Sequence, residues 1–110
     1  MPGMRRQEKL QAVMFSYRVF ESGGEMMLAV CDLELLGKEF IEGDFMLDIS
    51  KEFYSGSKGS EKDVLPLLKK STIVNAAGEK IIGVMMKNHI VDKECILRVC
   101  GVPHAQVISV

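Results

Sequence analysis

The sequence predicts an α+β domain in which an antiparallel sheet of about five strands carries two helices on one face. A glycine-centred hairpin signal near the start, two adjacent stretches with helical spacing, and an apolar C-terminal segment support this prediction. The helices are grouped between strands instead of alternating with them, which favours an α+β fold over a doubly wound one. With 110 residues, the chain has the length of one domain.

The first strand pair is predicted from Gly23-Gly24, which separates two alternating segments at residues 14–21 and 25–31. Two consecutive glycines favour a tight hairpin because both can adopt a positive φ. With these two residues as the loop, the predicted pairs are Val19 with Leu28, Tyr17 with Val30, and Phe15 with Asp32. The second face of this hairpin then carries Arg18, Phe20, Met27, Ala29 and Cys31.

The middle of the chain predicts one further strand and both helices. Alternation over residues 45–50 predicts the third strand of a meander. Helices are expected near residues 60–70 and 75–89, the first shortened or kinked by Pro66 and the second capped by Asn75. Asp32 is interpreted as the N-cap of a single helical turn that ends at Gly37.

The last fifteen residues predict a buried strand pair, with two apolar runs that flank a tight turn over residues 101–104. Gly101 supplies conformational freedom, and Pro103, which lacks an N–H, suits a turn better than a paired central strand. The side chains of Arg98, His104 and Gln106 are expected to group around this turn. They form the main candidate ligand-binding site.

Composition and charge exclude several classes of protein. The formal net charge of −1 provides no overall basic field for nucleic acid, and no apolar run reaches the length of a membrane span. Residues 1–13 are expected to be a flexible basic extension, which includes Arg5 and Arg6, before a single domain over residues 14–110. Because the first residues contain no apolar run of signal-peptide length, a cytoplasmic location is expected. The odd number of cysteines predicts buried free thiols in a reducing compartment.

Three segments of the chain resemble an archaeal family known as the domain of unknown function 424, and the similarity spans about residues 15–110. This resemblance implies a small cytoplasmic archaeal protein without an established activity, associated with RNA or translation. It supplies no catalytic residues, and the chain departs from the family pattern at Pro66. The matching segments are Leu36-Gly37-Lys38-Glu39-Phe40-Ile41-Glu42-Gly43-Asp44, Thr72-Ile73-Val74-Asn75-Ala76-Ala77-Gly78-Glu79 and Gly101-Val102-Pro103-His104-Ala105-Gln106.

His104 has three interpretations: a structural cap of the turn, a ligand contact, or a general base. Arg98 is interpreted either as a companion of His104 and Gln106 or as a surface residue that is paired with Asp48 or Glu94. No cysteine and histidine spacing predicts a metal site, and no cofactor is expected.

Two weaker candidate sites complete the prediction. Asn75 to Gly78 predicts either a helix N-terminus that binds an anion or a plain capped helix packed against the sheet. A basic cluster is interpreted either as a solvated surface or as an RNA-backbone patch. This cluster contains Lys58, Lys62, Lys69 and Lys70, with Arg5 and Arg6 in the extension.

Three hypotheses for function follow from these features, in this order. The first is a binding module for RNA or a ribonucleoprotein, and the second is a protein-interaction or assembly module, including a homo-oligomer, that makes no contact with nucleic acid. The third is a small hydrolase-like enzyme that uses His104 as a base. An enzyme is the less favoured class, and no membrane partner is expected.

Overall fold

The computed structural model describes residues 13–109. The predicted N-terminal extension, with Arg5 and Arg6, therefore lies outside the described residues except for Val13. The strands are β1 (Phe15–Ser22), β2 (Glu25–Asp32), β3 (Glu39–Glu42), β4 (Phe45–Asp48), β5 (Ser57–Gly59), β6 (Ile73–Ala77), β7 (Leu97–Val99) and β8 (Val102–Ile108). The helices are α1 (Lys51–Tyr54), α2 (Glu61–Lys70) and α3 (Glu79–Lys87), with 3₁₀ turns at Leu33–Leu35 and Lys93–Cys95.

Six of these strands form one mixed sheet in the order β5-β1-β2-β6-β8-β7. All neighbours are antiparallel except β2 and β6, which are parallel. The predicted mixed fold with a mainly antiparallel sheet is thus confirmed. The predicted five strands and two helices were close but inexact, because the described residues form six strands in this sheet and three α-helices.

The β1–β2 hairpin agrees with the prediction residue by residue. Val19 lies opposite Leu28, and Phe15 lies opposite Asp32, as the Gly23-Gly24 loop requires. Both glycines have positive φ values, 56° and 84°, as expected for a two-residue turn of this kind. The local turn chemistry therefore fixes the register of the whole pair.

Two assignments in the middle of the chain were wrong. The strand predicted over residues 45–50 does not join the main sheet; as β4 it pairs with β3 in a separate two-stranded sheet. The helix predicted over residues 75–89 begins only at Glu79, because Ile73–Ala77 forms the central strand β6. This short apolar strand pairs with β2 through residues far away in sequence, so no local pattern distinguishes it from the first turn of a helix.

Pro66 does not interrupt α2, which continues from Glu61 to Lys70. The predicted capping arrangement at its start is present: the backbone N–H of Ser60 donates to the carboxylate of Asp63 at 2.9 Å. The expected shortening of this helix at Pro66 was therefore wrong.

Different elements pack on the two faces of the sheet. Helices α2 and α3 pack on the first face, where a core contains Leu28, Val30, Val74 and Ala76. The β3–β4 hairpin and α1 pack on the second face over a smaller core. That core contains Ala29, Cys31, Leu47, Ile49, Tyr54, Ala77 and Val99.

Candidate functional site

The C-terminal turn lies two residues earlier than predicted, with Cys100 and Gly101 at its centre, where the φ values are 52° and 79°. Val99 and Val102 close this turn as a pair, so Pro103 and His104 belong to β8 and not to the turn. Pro103 fits there because its backbone faces the end of β6, where its carbonyl accepts the N–H of Gly78 at 2.8 Å. The Gly78 carbonyl, which would otherwise accept an N–H from residue 103, instead accepts the N–H of Ile82. The missing N–H of Pro103 therefore leaves no acceptor at the end of β6 unpaired.

His104 and Gln106 lie on the second face of the sheet, because they alternate with Ala105, which is buried in the first core. His104 is half-buried between its ladder partners Ala77 and Leu97. Burial lowers the pKa of the His104 imidazole below its ordinary value of 6.5, so the ring is neutral at pH 7. A neutral imidazole can both donate and accept a hydrogen bond.

Gln106 and Asn75 are joined across neighbouring strands. The amide nitrogen of Gln106 donates to Oδ1 of Asn75 at 3.1 Å, and Nδ2 of Asn75 lies 3.4 Å from the sulfur of Met27. The structure therefore places Asn75 beside Gln106 on the sheet and not at a helix start. These two amides and His104 make a short polar row.

Apolar side chains border this polar row on the second face. Leu97 is 63% exposed, and Ile108 is 62% exposed. Met27 and Ile73 are half-buried beside Ile108 in the same cross-strand row. We call this area the open strip; it consists of Met27, Ile73, Asn75, Leu97, His104, Gln106 and Ile108.

Arg98 does not join the open strip. It pairs with Pro103 across the β7–β8 ladder, which directs its side chain to the first face. Its guanidinium donates to a carboxylate oxygen of Glu79 at 2.8 Å and to the Gly101 carbonyl at 3.0 Å. The expectation that Arg98 is grouped with His104 was therefore wrong, and so was the pairing with Asp48 or Glu94.

The N-terminus of α3, predicted as an open anion site, is occupied by a side chain of the protein. The Asp32 carboxylate accepts the N–H groups of Lys80 and Ile81, both at 2.9 Å. Asp32 is only 3% exposed, and this burial raises the pKa of its carboxyl group, although the two N–H donors act in the opposite direction. Asp32 thus caps α3 from β2 and makes no side-chain cap to the 3₁₀ turn that follows it.

Gly78 is required at this junction. Its φ of 125° is rarely accessible to other residues, and a Cβ atom there would overlap the Asp32 carboxylate. A cleft of about 330 Å³ opens beside it, lined by Glu34, Glu79 and the Cys100–Pro103 segment among others. Lys80 forms an ion pair with Glu34 at 2.8 Å. The surroundings of the C-terminal turn are therefore concave, and the carboxylates of Glu34 and Glu79 there are paired with Lys80 and Arg98.

The basic cluster extends over two elements. Lys58 lies on the edge strand β5, whereas Lys62, Lys69 and Lys70 lie on α2, and all four are exposed. Among the described residues none of the four forms a salt bridge, whereas Lys80 and Lys87 do. Arg5 and Arg6 lie outside the described residues.

The cysteine side chains differ in exposure. Cys31 is buried, which raises the pKa of its thiol to about 12, whereas Cys95 and Cys100 are exposed. All three are free. Within residues 13–109, no group of three or more potential ligands is placed to hold a metal ion. Over the same range, no helix combines the length and apolar character that a membrane crossing needs.

The fold and the open strip define a small mixed α/β domain whose sheet carries two helices on one face and a hairpin with a short helix over part of the other. Residues 20–110 match the family described as "Protein of unknown function (DUF424)", so the chain belongs to this family, as its sequence motifs indicated. The structure is similar to the crystal structure of an uncharacterised conserved protein from Methanopyrus kandleri, with 26% sequence identity and a TM-score of 0.70. That similarity covers 88% of this chain and 94% of the other. No curated protein matches the chain.

Proposed function

We propose that this protein is a small binding module and that its open strip binds another protein. The observation that carries the proposal is the contrast between the two halves of one sheet face. Ala29, Cys31 and Ala77 are fully buried under the β3–β4 hairpin and α1, whereas Leu97 and Ile108 on the same face are more than 60% exposed. Leu97 and Ile108 lie at the two ends of the polar row, and exposed apolar side chains around a few polar groups are typical of an interaction surface.

The chemistry of the open strip favours a protein over a nucleic acid. None of its seven residues is lysine or arginine, and burial keeps His104 neutral at pH 7. Binding to nucleic acid depends chiefly on cations that contact phosphates. Apolar contacts around a few directional groups, such as the amides of Asn75 and Gln106, are instead the usual composition of a protein interface.

Variants of the two most exposed residues test this proposal. The full chain, carrying an affinity tag, is incubated with archaeal cell extract, and its co-purifying proteins are quantified by mass spectrometry. Leu97→Glu/Ile108→Glu is expected to reduce recovery of a specific partner at least tenfold, because it places two charges on an uncharged surface. The control Met86→Glu adds a charge to an exposed apolar position on α3 and should leave recovery unchanged. Equal recovery with all three chains would refute the proposal.

RNA binding at the basic cluster is a second candidate function. The four lysines without salt bridges in the described residues favour it, since their ammonium groups are available to phosphates. A filter-binding titration with total cellular RNA over a salt series measures it. Replacement of Lys58, Lys62, Lys69 and Lys70 by glutamine should weaken binding and reduce the salt slope by about 0.7 for each phosphate that is no longer neutralised. The control variant is Lys38→Gln/Lys51→Gln/Lys93→Gln, which removes lysines outside the basic cluster. If this control and the quadruple variant show the same salt slope, RNA binding at the basic cluster is rejected.

Catalysis by His104 stays a prediction. In the described residues no hydrogen bond connects its imidazole to a carboxylate or a nucleophile, which a general base ordinarily needs for orientation. The expected cytoplasmic location also stays a prediction.

A further inference from the structure

A second exposed surface combines apolar and acidic side chains on the β3–β4 hairpin. We call residues 39–48 the acidic hairpin. The exposed fractions of Ile41, Phe45 and Met46 are 61%, 71% and 60%. Ile41 and Met46 are direct cross-strand partners on the face that also carries Glu39 and Asp48, whereas Phe45 pairs with Glu42 on the opposite face of the hairpin. The ten residues contain no lysine or arginine and four exposed carboxylates, which belong to Glu39, Glu42, Asp44 and Asp48.

The backbone of the acidic hairpin is anchored to the rest of the domain. Phe40 and Leu47, which lie opposite one another, pack into the core on the second face. The Glu42 carboxylate accepts the Cys100 N–H at 2.7 Å, and the Ile41 carbonyl accepts the Cys100 thiol at 3.2 Å. The exposed apolar side chains are therefore presented from a fixed framework, which lowers the ordering cost of binding.

We infer that the acidic hairpin is a docking surface for a protein that presents an apolar recess bordered by lysine or arginine. Ile41 and Met46 supply the apolar contact area, and the carboxylates of Glu39 and Asp48 on the same face require a partner of opposite charge at the rim. The same carboxylates repel nucleic acid and anionic lipid. This inference goes beyond the proposed function, because the acidic hairpin and the open strip share no residue and suit partners of different charge.

The carboxylates also have a simpler explanation. Charged residues on exposed strands prevent edge-to-edge pairing with other chains. On that explanation, neutralising them would cause self-association and would not change the affinity for a basic ligand. The two explanations therefore predict different results for one variant.

The probe is a synthetic amphipathic peptide of lysine and leucine, titrated into the ¹⁵N-labelled full chain and followed by NMR. A matched peptide with glutamate in place of lysine is the ligand control. We expect chemical-shift changes concentrated at residues 39–48 with the lysine peptide and none with the glutamate peptide. Ile41→Ser/Met46→Ser should weaken binding at least tenfold, whereas Met86→Ser, at an exposed apolar position on α3, should leave it unchanged.

The neutralised variant Glu39→Gln/Asp44→Asn/Asp48→Asn decides between the explanations. It keeps Glu42 and its contact with Cys100, so the anchor of the hairpin is preserved. A tenfold loss of affinity with a weaker salt dependence, in a chain that stays monomeric by sedimentation, supports the inference. Unchanged affinity, shifts spread over the whole surface, or equal binding of the glutamate peptide overturns it.

Discussion

Gly78 and Asp32 meet where β6 passes into α3, and a Cβ atom at position 78 would overlap the Asp32 carboxylate. Asp32 is the last residue of β2, yet its carboxylate accepts the N–H of Lys80, 48 residues further along the chain. A local interpretation assigns it to the adjacent 3₁₀ turn, because the preference of aspartate for N-caps does not specify which helix it caps. Gly78 is the only local signal of this contact, because a glycine immediately before a helix indicates a positive φ or a close approach by another group.

Gly78→Ala is expected to lower the free energy of unfolding by about 3 kcal/mol, from backbone strain and overlap with Asp32. Gly83→Ala is the matched control: Gly83 lies within α3, and a Cβ atom there would meet no neighbour within 4 Å. Gly83→Ala should raise the free energy of unfolding by about 0.5–1 kcal/mol, because alanine favours a helix interior more than glycine does. Urea denaturation of both variants measures the difference, and equal effects would contradict the described junction.

The buried carboxyl group of Asp32 predicts a pH dependence. Its pKa is raised above the ordinary 3.8 in the folded protein, so the folded state holds this proton to higher pH than the unfolded state does. The stability of the wild type relative to Asp32→Asn should therefore be greatest below about pH 4 and fall as the pH rises through the raised pKa. Asp32→Ala should cost about 1–3 kcal/mol throughout, since it leaves two helix N–H groups without a partner.

Urea denaturation from pH 3.5 to pH 7 follows these differences. The comparison with Asp32→Asn isolates this carboxyl group from the other acidic residues. If the relative stability of the wild type instead increases with pH, the N–H donors of α3 outweigh burial, and the stated direction of the pKa shift is wrong.

Individual elements were predictable where their signals are local. The β1–β2 hairpin follows from the Gly23-Gly24 loop and two-residue alternation, both of which act within a few residues. Strand β6 was not predictable in this way, since its partners β2 and β8 are distant in sequence and its five residues also fit the start of a helix. The placement of β4 outside the main sheet was likewise not predictable. Alternation identifies a strand, but tertiary contacts determine which sheet the strand joins.

The uninterrupted helix α2 predicts a stabilising substitution. Pro66 has no N–H to donate to the Lys62 carbonyl, so this helix lacks one of its own hydrogen bonds. Pro66 is exposed, and alanine fits the site without new contacts. Pro66→Ala should raise the free energy of unfolding by about 1 kcal/mol or more, measured by urea or thermal denaturation. Destabilisation would indicate that proline's restriction of the unfolded chain matters more than the missing bond.

At the scale of the whole molecule, one part of the candidate site was predictable from the sequence and another part was not. Period-two alternation along β8 is enough to group His104 with Gln106. It cannot place Asn75 beside them, because that contact depends on the order of strands in the sheet. A turn over residues 101–104 would place Arg98 opposite Val107, and the observed turn places it opposite Pro103, so in both registers Arg98 lies on the face away from His104 and Gln106.

The proposed function depends above all on the open strip being the surface on which this protein binds a protein partner. Its most direct test is site-specific photo-cross-linking, with the photoreactive residue benzoylphenylalanine in place of Gln106 on the strip or Met86 on α3. Both positions are exposed, but they lie on different sides of the sheet. In archaeal cell extract, we predict a discrete cross-linked protein from position 106 and none from position 86. No product at position 106, or the same products at both positions, would contradict this role for the open strip.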